Sequence, residues 1–349
     1  MPERGLRTRM SVVFALAVLS GSPGNAETPD PPVPLFAEEA EIALTIEAPW
    51  RQLRRLPENR GPVPATVRIG DGAATVPATV EKRGISRQEL CDMPPIRIRF
   101  DEDEVEGTPF EGNRSIKVVT HCRKGDRWEQ YYVLEFLAYR LYNRITDISF
   151  RVRPATLVYA DGERDDVDGP HFGFLIEDDR LVANRHGLDA IEVREVAASD
   201  LPADETSLFS LFQYLIGNTD FSPQIGPDDE CCHNVKLIGD DALETLYAVP
   251  YDFDSSGWVD ARYAVPPEKL PINDVRQRLY RGFCLHDAGL APARRRFLER
   301  RPALRAVVES EPRLSDRSRR KALRYLDDFY EVLTDDRQFR RRISGACRS

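Results

Sequence analysis

Between Glu41 and Thr120, apolar residues alternate with polar ones or run in short blocks, and Gly, Pro and Asp break the blocks apart. Ile42-Ala-Leu-Thr-Ile, Ala65-Thr-Val-Arg-Ile, Ala74-Thr-Val-Pro-Ala-Thr-Val, Ile96-Arg-Ile-Arg-Phe and Ile116-Lys-Val-Val each read as a strand in an antiparallel β region. The period then changes. Tyr132, Leu134, Phe136, Leu137, Tyr139 and Leu141 recur at helical spacing and predict a helix over 131–145, with Glu135 and Arg140 as its interior charges. Strand patterns return over 150–159 and 172–177, on either side of a polar hairpin tip at 161–169. The second half predicts a helix over 205–216 capped by Asp204 or Thr206, strands at 235–238 and 246–249, and helices after Leu290. In the last of these, Leu323, Leu326, Phe329, Tyr330 and Leu333 form a stripe that implies packing rather than chemistry.

Composition adds location and charge. Residues 1–26 read as a signal peptide, with Arg4, Arg7 and Arg9, an apolar run from Met10 to Leu19, and small residues before a cleavage point. The expectation is a periplasmic or secreted protein with no membrane span in its mature form. The formal charge of the 349-residue chain is −9, yet residues 291–349 hold seventeen Lys or Arg against nine Asp or Glu. No aromatic residues interleave with those arginines in the manner of a nucleic-acid surface, so the basic end reads as a solvated helical face. Six cysteines in an exported chain predict disulfides. Cys91 and Cys122 flank two strands and can meet across a hairpin. One bridge among Cys231, Cys232 and Cys284 is expected to fix the loop before Asn234. Adjacent cysteines seldom reach disulfide geometry, so Cys231 is not expected to join Cys232.

The densest chemistry lies in Leu215–Gly257. Asp220, Asn234, Asp252 and Asp254 each follow or precede an apolar run, so secondary structure would carry their oxygens to the edge of a core. Hard oxygen donors suit Mg²⁺ or Mn²⁺. Phosphoryl transfer uses an Asp to orient the attacking hydroxyl, then an Asn, then an Asp beyond another strand, the last two holding metal. The order here is the same. Asn-Thr-Asp and Asp-Phe-Asp-Ser-Ser-Gly also make good turns, in which a carboxylate caps backbone amides.

Several pieces resemble one family. Lys82-Arg-Gly-Ile-Ser-Arg followed by Ile96-Arg-Ile-Arg-Phe, and Gly173-Phe-Leu-Ile-Glu-Asp-Asp-Arg-Leu-Val-Ala-Asn-Arg, resemble segments of the spore coat protein CotH kinase family. Leu215-Ile-Gly-Asn-Thr-Asp, Asn234-Val-Lys-Leu and Val249-Pro-Tyr-Asp-Phe-Asp are similar to CotH and to the core of HipA-like kinases. The resemblance covers pieces of residues 80–260. It implies an α+β, two-lobed, protein-kinase-like fold, with a β-rich N-lobe over 27–178 carrying one packed helix and a mainly helical C-lobe over 179–349. It also implies ATP, or another nucleotide, as donor and a protein hydroxyl of the envelope or of secreted protein as acceptor. Asp220 becomes the catalytic base, Asn234 and Asp252 the metal ligands, and Asp254 a further metal or orienting carboxylate. Lys117 would reach the phosphates and be held by Glu135, with Arg83 and Arg87 as rival phosphate clamps. His233, beside Asn234, is a candidate ligand, with a loop histidine bonded to backbone as the favoured reading. The chain departs from the pattern in its long 221–232 loop, its lack of a glycine-rich nucleotide loop and its export signal. Two other functions stay open: a catalytically silent binding module of the envelope, and a metal-dependent phosphate-ester hydrolase.

Overall fold

In a computed structural model of the chain, the described residues are Met1 and 33–349, apart from 58–60, 71, 73, 85–86, 88–89, 163–165, 226–230 and 241. The predicted signal segment and its cleavage point lie outside the described residues. Among the described residues, no helix is long and apolar enough to cross a membrane.

Every predicted strand of the first half forms. Two short helices, α1 (Pro34–Ala37) and α2 (Trp50–Arg55), bracket β1 (Ile42–Glu47); β2 (Val63–Ile69), β3 (Ala74–Lys82), β4 (Ile96–Arg99) and β5 (Ser115–Val119) follow. Helix α3 (Asp126–Asn143) leads to β6 (Val152–Asp161) and β7 (Asp166–Ile176). Neighbours pair in the order β1-β2-β3-β4-β5-β7-β6, and β6 then closes on β1. That last contact is parallel, running from Ile42 opposite Ala155 to Glu47 opposite Ala160.

The closure overturns the two-lobed kinase fold expected for 27–178 and 179–349. A seven-stranded mixed barrel stands where an open antiparallel N-lobe sheet was expected, and the remainder combines helices with a sheet of its own. The physical reason is the strand edge. An open β1 or β6 would expose a row of unpaired amides and carbonyls, and pairing them removes both edges at once. Val67, Val80, Ile98, Val118, Leu157 and Leu175 fill the interior, none more than 2 % exposed. The alternate residues Phe172, Phe174 and Ile176 of β7 point outward, where Phe136 of α3 packs edge-on against Phe172.

The second half starts at α4 (Asp179–Asn184), capped by Asp178, and continues through β8 (Asp189–Ile191) and α5 (Ala203–Ile216). β9 (Val235–Gly239) and β10 (Leu246–Pro250) join β8 in a three-stranded sheet. Then come α6 (Asp287–Glu309), α7 (Asp316–Thr334) and α8 (Asp336–Arg342). The stripe on α7 packs as expected, with Leu326, Phe329, Tyr330 and Leu333 buried. One continuous core holds α3, the outer face of β7, α5, α6 and α7. Cys91 pairs with Cys122, as expected from the flanking strands. Cys284 pairs with Cys347 rather than with the 231–232 pair, whose two sulfurs lie against each other.

Candidate functional site

Helix α3 organises the site. Glu135 and Tyr139 are one turn apart and so share a face. Glu135 accepts from both terminal nitrogens of Arg87 at 3.3 Å, and the Tyr139 hydroxyl accepts the Asp252 amide at 2.9 Å. Trp258 Nε1 donates to the Leu134 carbonyl at 2.9 Å, which ties the 252–258 segment to the same helix.

Two backbone contacts then join that segment to the end of α5. Gly257 N–H donates to Gly217 O at 3.1 Å and Trp258 N–H to Ile216 O at 2.8 Å. Gly217 ends α5 in the left-handed conformation at φ 61°, and a side chain there would strike the Tyr325 hydroxyl. Asn218 follows and folds back, its Oδ1 accepting the Asp220 amide at 2.9 Å. Asp220 is thereby delivered beside β9. Its Oδ1 lies 2.7 Å from His233 Nε2, and its Oδ2 accepts from Asn234 Nδ2 at 3.2 Å. Asn234 and Asp252 both adopt positive φ, 53° and 60°, and Tyr251 N–H donates to Asn234 O at 3.1 Å. Left-handed non-glycine residues are uncommon, and two of them, one just before β9 and one just after β10, mark a backbone held in place by its surroundings.

The carboxylates meet a guanidinium rather than converging on one point. Arg87 Nη2 is 3.1 Å from Asp252 Oδ1, and Arg87 Nε is 3.0 Å from Asp254 Oδ2. Asp254 Oδ2 also accepts from the Tyr263 hydroxyl at 3.0 Å. Burial raises the Asp254 carboxyl and pushes that of Glu135 up to about 7, each against the pull of Arg87. Among the described residues, Asp220, Asp252 and Asp254 do not bring three ligand atoms within 4.8 Å of one another. Asp254 is therefore engaged by Arg87 and Tyr263. The Oδ2 of Asp252, whose side chain is 34 % exposed, and the Oδ1 of Asn234 are the oxygens of these four residues left for a hard cation among the described residues.

The expected cations divide. Arg87, not Lys117, is the partner of Glu135: Arg87 donates to both Glu135 oxygens, while the Lys117 ammonium lies against the Tyr251 and Phe150 rings. Lys117 is 8 % exposed, with Nζ 5.1 Å from the Tyr251 ring centre and 5.7 Å from that of Phe150. It makes no ion pair among the described residues. Burial pulls its ammonium down to about 8; Asp179 and Asp178 oppose the fall, and Arg83 and Lys236 add to it. Arg83 lies within the field of Asp252 and Glu135, its Nε buried without a hydrogen-bond partner.

Lys117 forms part of the wall of a cleft of about 810 Å³ with Arg97, Asp178, Asp179, Arg180 and Lys236. The cleft was not foreseen, because its walls come from β5, α4 and β9, which are distant in sequence. Nor was the Asp220–His233 pair: His233 bonds the carboxylate in place of backbone. The adjacency of His233 and Asn234 was the one signal in the sequence. No family model matches the chain, and no curated protein matches it.

Proposed function

We propose that this cleft takes the polyphosphate of a nucleotide together with Mg²⁺ or Mn²⁺, and that the protein transfers a phosphoryl group to a protein hydroxyl. One observation carries the reading. Lys117 is a buried ammonium with no carboxylate at ion-pair distance among the described residues, although Asp179 and Asp178 act on it from further off, and it stands in the wall of an open cleft. An unpaired buried charge is costly, and a bound anion is what offsets the cost.

Lys117 and Lys236 stand in the cleft wall; Asp220, Asn234 and Asp252 do not, and the nearest link to them is Tyr251, whose ring lies 5.1 Å from Lys117 Nζ. Lys117 and Lys236 bind phosphate oxygens, although Lys236 is shared with Asp179 at 3.4 Å. Asp252 and Asn234 Oδ1 hold the metal, which fits a cation that takes one or two protein oxygens and completes its shell with phosphate and water. When bound, the metal neutralises charge on the transferring group. Asp220, oriented by His233 and Asn234, accepts from the attacking hydroxyl. Arg87 positions Asp252 and fixes it relative to α3. Oxidation of Cys91 with Cys122 and Cys284 with Cys347 supports placement outside a reducing cytosol.

A second reading, an anion-binding cleft without turnover, is favoured by Arg87, which already neutralises Asp254. Calorimetry with ATP, with and without Mg²⁺ or Mn²⁺, followed by label transfer from γ-labelled ATP, separates the two. The expected result is metal-dependent binding that Lys117→Ala weakens at least tenfold, and transfer that Asp220→Ala abolishes while binding persists. Binding without transfer selects the second reading. Absence of nucleotide binding under any divalent ion overturns both.

A further inference from the structure

A different cluster sits where β6 turns into β7. On β6, Leu157 pairs with His171 and Tyr159 pairs with Asp168, so two steps on one strand face three on the other. Leu157 and Tyr159 share a face by strand alternation. The extra residue on β7 therefore carries Asp168 and His171 onto that same face, toward the barrel interior, where an unbulged strand would have separated them. Gly169 makes this feasible: its φ is 130°, and a Cβ there would lie 2.8 Å from the Leu157 carbonyl oxygen. His121, just beyond β5, completes the group. Its ring stacks on that of His171 at 3.7 Å between centroids, and Tyr159, set edge-on to Trp50, stands 5.5 Å from it.

We propose that His121, Asp168 and His171 bind a divalent transition-metal ion of the zinc class. His171 Nε2 is 3.0 Å from Asp168 Oδ1 and His121 Nε2 is 3.6 Å from Oδ2; one donor atom from each of the three residues lies within 4.8 Å of the other two. Metal–donor bonds of about 2.0–2.1 Å put tetrahedral donors roughly 3.4 Å apart, so small side-chain shifts suffice. Two imidazoles with one carboxylate suit zinc, iron, copper or nickel, and not the all-oxygen preference of magnesium.

A second observation points the same way. His121 is 5 % exposed, its Nδ1 has no hydrogen-bond partner, and its Nε2 is beyond ordinary hydrogen-bond distance from Asp168. A buried imidazole so poorly satisfied is costly, and a coordinate bond relieves one nitrogen. Lys124 competes, with Nζ 2.9 Å from Asp168 Oδ1, but its side chain is exposed and free to swing away. Three protein donors leave at least one coordination position for water or a small ligand.

The site shares no residue with the phosphate cleft and does not rest on the phosphoryl-transfer reading. The test is titration of the full chain, stripped with chelator, with Zn²⁺ by calorimetry and with Co²⁺ by visible absorption. The expected result is one equivalent of Zn²⁺ bound, with the intense visible bands of low-coordinate Co²⁺. His171→Ala and Asp168→Asn should each weaken binding at least tenfold with the thermal melt of the metal-free protein retained. Lys124→Ala should strengthen it. Failure of wild type to bind Zn²⁺, or binding that survives both His171→Ala and Asp168→Asn, overturns the assignment in favour of a hydrogen-bonded Lys124–Asp168–His171 network.

Discussion

Both terminal nitrogens of Arg87 lie 3.3 Å from the two carboxylate oxygens of Glu135, 48 positions along the chain. The pair is buried, and Arg87 extends on to Asp252 and Asp254, so one guanidinium ties its own position after β3 to α3 and to the segment after β10.

Removing the guanidinium should therefore uncover three carboxylates at once. Breaking a buried pair from one side costs about 3–5 kcal/mol, and Arg87→Ala should lower stability by that amount in urea unfolding. Arg87→Lys should recover little, because an ammonium cannot fork across two oxygens. An unfolding midpoint unchanged in Arg87→Ala would mean that the network contributes nothing to folding.

The Cys284–Cys347 bridge closes a long loop that contains α6, α7 and α8, with a sequence separation of 63. Backbone hydrogen bonds from Cys284 N to Arg348 O and from Arg348 N to Gly282 O, both 2.8 Å, lie beside it. A loop of this length restricts the unfolded chain by about 4 kcal/mol. Cys347→Ser should lose most of that in denaturant unfolding under oxidising conditions, and reductant should no longer shift the melting of that variant by the same amount.

These two features show where sequence reading succeeds and where it stops. The strands at Ile42, Ala65, Ala74, Ile96 and Ile116 were legible because alternation is local. The Cys91–Cys122 bridge was legible because the hairpin is local as well. Closure of the barrel was not, because β1 and β6 are separated by more than a hundred residues and nothing in either strand names its partner. Asp220, Asn234 and Asp252 were legible as oxygen-bearing side chains at the ends of apolar runs, and no more of their role than that is fixed by position in the chain. Arg87 was legible as a cation, but its binding of Glu135 in place of Lys117 is a contact between residues 48 positions apart that neither local pattern announces. Asp168 and His171 were hidden for a sharper reason: three residues apart on a regular strand, they face opposite ways, and only the bulge unites them.

Tyr139 offers a test of that preorganisation. Its hydroxyl accepts the Asp252 amide, and Asp252 holds a positive φ. Tyr139→Phe leaves a donor unsatisfied at a cost of about 1–3 kcal/mol. The variant should lose metal-dependent ATP binding more than metal-independent binding, as measured by calorimetry with and without Mg²⁺. Equal loss in both conditions would show that the hydroxyl does not act through Asp252.

Lys117 gives two pH dependences of opposite sign. Burial lowers its folded pKa from the ordinary lysine value of 10.5 to about 8, with Asp179 and Asp178 opposing, and Arg83 and Lys236 adding to the fall. The folded state thus binds fewer protons than the unfolded state between those values, so this residue makes stability rise with pH through that window. The penalty for holding the charge is full below about 8. It amounts to roughly 3 kcal/mol, by about 1.4 kcal/mol for each unit of pKa. Lys117→Met should therefore stabilise the protein near neutral pH and flatten its stability between about pH 8 and about pH 10.5. Anion binding must run the other way, because only the ammonium attracts phosphate. The affinity for ATP should fall as pH rises past about 8, and Lys117→Arg should move that fall to higher pH. Affinity independent of pH across the same range, in a protein whose stability still rises, would show that Lys117 is buried for packing and takes no part in binding the anion.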